Sequence, residues 1–120
     1  MTKTDILSVQ QRIKTAAALD AGLLSDAAAV VSRVFPAAPA VLPKGAEPVE
    51  MVLQLIDVAL PSWSINLTGK AMQPDGHWRC SLRETRGSDE IEMVGLGSGP
   101  VVALALLDAL LSVVEQQDAT

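Results

Sequence analysis

The sequence predicts an α+β fold: a helix, a three-stranded antiparallel meander and a closing helix form the core, preceded by a helical extension. Three observations carry this. Residues 63–72 alternate, with Trp63, Ile65, Leu67 and Ala71 on one side and Ser64, Asn66, Thr68 and Lys70 on the other. That period of two marks a strand with one buried face. Two turn signals follow, Pro74-Asp75-Gly76 and Arg86-Gly87-Ser88-Asp89, and connections this short join antiparallel neighbours. Residues 101–114 are Val, Ala and Leu apart from Asp108 and Ser112, a helix more apolar than a single contact stripe requires.

In chain order, Thr4 or Asp5 is expected to cap a first helix, with Ile6, Val9, Ile13, Ala16 and Ala17 as its apolar stripe. Gly22 marks its end or a turn. Ser25 then caps a second helix over 26–35, with Ala27, Val30, Val31 and Val34 on one side. Residues 1–35 are thus expected to form an N-terminal helical hairpin packed on the rest of the chain, the alternative being that these helices dock on a partner. Residues 36–47 form a linker: prolines at 36, 39 and 43 remove helical donors and restrict their predecessors. The core spans 48–117. Its first helix covers 48–60, with Val49, Val52, Leu53, Ile56 and Leu60 inward, and Pro61 ends it. Glu50 and Asp57, two turns apart on the polar side, read as a solvated face.

The second strand places Trp78, Cys80 and Leu82 inward and Arg79, Ser81 and Arg83 outward. The third is expected to start near Glu90, with Ile91 and Met93 inward, and to end in the run Gly95 to Pro100. The run from Gly95 to Pro100 then reads as a strand-to-helix turn, with Ser98 or Gly99 capping the last helix. On that helix Asp108, Ser112 and Glu115 share a narrow face. The remainder calls for cover on two sides, from the sheet and from another helix or subunit.

The composition narrows the function. With 120 residues and 49% hydrophobic content the chain can build one modest core. Two tryptophans, one phenylalanine and no tyrosine leave that core to aliphatic side chains. A formal charge of -5 disfavours nucleic acid and anionic membranes. The lone Cys80 makes an internal disulfide impossible and reads as a small buried hydrophobe. Lys3, Asp5, Arg12 and Lys14 interrupt any apolar leader, and the 101–114 run is too short to span a bilayer and contains Asp108. A cytoplasmic location without membrane attachment is expected.

No catalytic constellation, metal site or cofactor is expected. His77 stands alone in a turn without a nucleophile beside it. The glycine run at 95–99 lacks the Lys and Ser/Thr of a phosphate loop. Arg79 and Arg83 share the outer sheet face with Lys70, Glu90 and Glu92, as cross-strand charge pairs. The same face forms the candidate partner-binding surface: Ser64, Asn66, Thr68, Lys70, Arg79, Ser81 and Arg83. Leu104, Leu107 and Leu111 on the last helix form a candidate self-association surface.

The order helix, three strands, helix resembles double-stranded-RNA-binding domains. Those domains carry lysines at the start of the last helix, whereas Ser98-Gly99-Pro100-Val101-Val102-Ala103 has no positive charge. A closer resemblance runs through Leu60-Pro61-Ser62-Trp63, then Trp78-Arg79-Cys80-Ser81-Leu82. It continues through Gly95-Leu96-Gly97-Ser98-Gly99-Pro100 into Ala103-Leu104-Ala105-Leu106. These segments are similar to small phage and prophage proteins of the phage ABA sandwich type, over residues 48–115. The resemblance implies the fold and a phage or prophage context, and brings no active-site residues. The expected function is a non-enzymatic phage accessory protein that binds another protein, with inhibition of a host system as one form of that role. The competing expectations are a self-associating assembly protein and a degenerate nucleic-acid-binding module using Lys70, Arg79, Arg83 and Arg86.

Overall fold

A computed structural model of the chain describes residues 3–16, 18–36, 47–61, 63–69, 78–84 and 94–119. The element order is α1 (Lys3–Thr15), α2 (Ala21–Val34), α3 (Pro48–Ala59), β1 (Ser64–Thr68), β2 (Trp78–Arg83), β3 (Val94–Gly99) and α4 (Val102–Ala119). The fold is α+β, and the three strands form an antiparallel sheet in the order β1-β2-β3. The expected turns at 74–76 and 86–89, the linker residues 37–46, and Lys70, His77, Arg86, Glu90 and Glu92 lie outside the described residues.

Local chemistry sets the helix ends. Asp20, in extended backbone geometry, accepts the Leu23 N–H at 2.7 Å and so starts α2. The helix therefore begins five residues before the expected start at Asp26. Ser25 sits inside it and Gly22 in its first turn. Pro48 opens α3, where a missing N–H leaves no hydrogen bond unmade. The buried face of α3 is Val52, Leu55, Ile56, Ala59 and Leu60. Leu55, rather than the expected Leu53, completes the helical spacing, and Leu53 is 39% exposed.

The third strand departs most from expectation. Gly95, Gly97 and Gly99 belong to β3 itself, opposite Leu82, Cys80 and Trp78. Glycine is a poor strand residue, and the reason for it here is contact. A Cβ on Gly97 would overlap the Ala109 backbone nitrogen and lie 2.6 Å from the Ala105 carbonyl oxygen. A Cβ on Gly95 would lie 2.6 Å from the Ala109 carbonyl oxygen. α4 therefore rests directly on the β3 backbone, with Ala105 and Ala109 as its contact residues.

The other side of α4 meets α1, α2 and α3. Its double cover thus comes from its own chain. Leu104, Leu107 and Leu111 are fully buried there, which removes them as an exposed self-association surface. Among the described residues the buried apolar side chains form one cluster from Ile6 in α1 to Val114 in α4, and the N-terminal helices share it. Each fully buried Leu or Ile in it contributes about 1.5–3 kcal/mol relative to exposure.

Chemical unfolding of single glycine variants would measure the contact between α4 and β3. Gly97→Ala should lose about 3 kcal/mol, because backbone rather than a flexible side chain must move. Gly99→Ala, whose new Cβ would lie 3.0 Å from the Leu104 Cβ, should stay within about 1 kcal/mol of wild type, since alanine recovers backbone entropy.

Candidate functional site

The strand register sorts the sheet into two faces. Ile65, Leu67, Trp78, Cys80 and Leu82 share the face that carries the β3 glycines. Ser64, Asn66, Thr68, Arg79, Ser81, Arg83, Val94, Leu96 and Ser98 share the other. Two adjacent rows cross this outer face: Asn66, Ser81 and Leu96, then Thr68, Arg79 and Ser98. All six line an open depression of about 500 Å³, with Lys14 from α1 and Asp108 from α4 also among its lining residues.

The structure thus brings together four of the expected residues, Asn66, Thr68, Arg79 and Ser81. Ser64 and Arg83 form the next row with Val94, and Lys70 lies outside the described residues. In register Arg79 is flanked by Thr68 and Ser98, and its expected charge neighbours Lys70, Glu90 and Glu92 lie outside the described residues. Leu96 and Ser98 escaped notice because the glycines between them imitate a turn. The signal was there: Val94, Leu96 and Ser98 continue the alternation through 94–99. Nothing local marks Lys14, which reaches the site through the packing of α1 on α4.

Asp108 is the one buried carboxylate in this neighbourhood, 7% exposed. Its Oδ2 accepts the backbone N–H of Ser98 at 3.0 Å. Two turns further along α4, Gln116 Nε2 donates to the Val94 carbonyl at 2.8 Å. Both are backbone groups on the side of β3 away from β2. The polar face of α4 therefore occupies two backbone groups, the Ser98 N–H and the Val94 carbonyl, on the outer edge of β3. Beyond it, Gln10 of α1 donates to Glu115 at 3.1 Å and to the Leu111 carbonyl at 3.4 Å. This buried glutamine ties α1 to the same helix.

No family model, curated protein or solved structure matches this chain. The site is read from its own chemistry. Among the described residues no cluster of His, Cys, Asp and Glu could hold a metal ion. No described helix is long and apolar enough to cross a membrane. The depression offers two cations, Lys14 and Arg79, beside hydroxyls, an amide, the Asp108 carboxyl and the Leu96 side chain. Those groups suit hydrogen bonding and charge-assisted contact with a polar partner. Burial pushes the Cys80 thiol up to about 11, so it stays protonated and unreactive at neutral pH.

Burial raises the Asp108 carboxyl above its ordinary value, against the smaller lowering effects of the Ser98 hydrogen bond and the Lys14 charge. The folded chain holds this proton more tightly than the unfolded one. Its stabilising effect is complete below the unfolded value and is lost as pH rises through the folded one. Asp108→Asn keeps an oxygen for Ser98. It should be at least as stable as wild type at pH 7 and should flatten the fall in stability above about pH 4. Asp108→Ala leaves the Ser98 N–H without its partner and should cost about 1–2 kcal/mol. Urea titrations across pH would separate the three proteins. Thiol labelling supplies a second check: Cys80 in native protein should label only at the rate of unfolding, and fully in denaturant.

Proposed function

We propose that this protein is a non-enzymatic binding protein that docks another protein on the open polar face of its sheet. One observation supports this above the others: Asn66, Thr68, Arg79, Ser81 and Ser98 from all three strands surround one depression, while α4 covers β2 and β3 on the opposite face. The partner segment that suits it is polar and carries carboxylates, to meet Lys14 and Arg79. On a chain of net charge -5 these cations attract such a segment locally without conferring general affinity for nucleic acid. The phage or prophage setting, the cytoplasmic location and inhibition of a host system belong to this proposal through the sequence resemblance described above.

A tagged pull-down from bacterial lysate, with and without nuclease, tests the reading. Wild type should retain a specific protein after nuclease treatment. Arg79→Glu reverses a charge at the centre of the face and should weaken that capture at least tenfold, with the thermal transition unchanged. Capture that disappears with nuclease would favour the nucleic-acid reading. Capture indifferent to Arg79→Glu would move the contact off this face.

A further inference from the structure

The two edges of the sheet are treated differently. On β3 the Ser98 N–H and the Val94 carbonyl are taken by Asp108 and Gln116. Among the described residues nothing pairs with the outer edge of β1, which lies at the end of the strand order. The register identifies the groups left there. Ser98 directs its N–H away from β2, so Arg79 and Ser98 are a non-hydrogen-bonded pair. Alternation across β2 then makes Thr68 and Arg79, and Asn66 and Ser81, hydrogen-bonded pairs. Ile65 and Leu67 therefore direct their N–H and C=O groups outward, along the free edge.

Edge strands are ordinarily protected by charge, proline or a bulge. The β1 sequence, Ser-Ile-Asn-Leu-Thr, has neither charge nor proline. The side chain of Ile65 is 42% exposed, because α4 lies over β3 and β2 rather than β1. We propose that β1 pairs antiparallel with β1 of a second copy of this chain, about a twofold axis through Asn66, giving a six-stranded sheet.

The strand is complementary to itself in this register. Ile65 of each copy opposes Leu67 of the other, forming two hydrogen-bonded pairs with four backbone hydrogen bonds and an apolar contact on the helix side. On the outer face Ser64 opposes Thr68, hydroxyl to hydroxyl. Asn66 meets itself at the axis, where each amide can both donate and accept. No like charges meet, whereas a foreign extended segment would match these alternating positions only by chance of sequence. The axis is perpendicular to the sheet, so both polar faces lie on one side and become continuous. The proposal stands apart from the partner-binding reading, since it concerns the edge rather than the face.

The interface is short, so the dimer is weak and is read at high protein concentration. Sedimentation equilibrium up to about 1 mM should show a dimer, and Ile65→Lys should lower its association constant at least tenfold. Cysteine placement reads the register. Residues at a non-hydrogen-bonded pair stand about 4.5 Å apart at Cα, within disulfide range. Asn66→Cys should therefore form an intermolecular disulfide under mild oxidation, and Ser64→Cys should not, since residue 64 opposes residue 68. A monomer at every concentration would overturn the proposal. So would a dimer in which Asn66→Cys fails to cross-link or Ser64→Cys cross-links equally well.

Discussion

The fold depends on how closely α4 approaches β3. Three glycines in alternate positions remove every side chain from the inner face of that strand, and Ala105 and Ala109 present little more than backbone to it. Helix and strand meet at a separation that no Cβ on Gly95 or Gly97 would allow. The larger inward side chains, Cys80 and Leu82, stand on β2 beside this strip, and α4 is seated between them and the helices behind it. With α4 so close, its other faces have to be covered as well. α1, α2 and α3 supply that cover, which is why a helix apolar on almost every side is consistent with a single folded chain.

The same placement decides where the chain is polar. The narrow hydrophilic face of α4 is neither solvated throughout nor wasted. Asp108 and Gln116 bond to the exposed edge of β3, and Glu115 receives Gln10 from α1. An edge partly occupied by side chains from its own helix offers less for pairing. The opposite edge and the outer face keep their hydrogen-bonding capacity. The two contact surfaces proposed above lie there.

Much of this was legible in residue order. Alternation in 63–68 and 78–83 located two strands and assigned their faces correctly, because one buried face imposes a period of two. The polar set Asn66, Thr68, Arg79 and Ser81 followed from that parity. The misreadings also have physical causes. Glycine serves both tight turns and close backbone approach, and at 95–99 only the alternation of the residues between the glycines favours the strand. Asp20 and Ser25 are both good helix caps, and only Asp20 stands where its carboxylate meets a free N–H. Leu53 and Leu55 are chemically identical, and the side of α3 that meets α4 chose between them.

By itself the sequence determined the α+β class, the meander, the parity of β1 and β2 and the excess apolarity of the last helix. Each of these is a local pattern with a fixed period. Only the tertiary structure decided what covers α4, that Leu104, Leu107 and Leu111 are interior, and that Lys14 and Asp108 join the outer face of the sheet. It also decided which sheet edge receives side chains from α4. These depend on contacts between residues far apart in the chain, where packing distance rather than sequence spacing selects the neighbours.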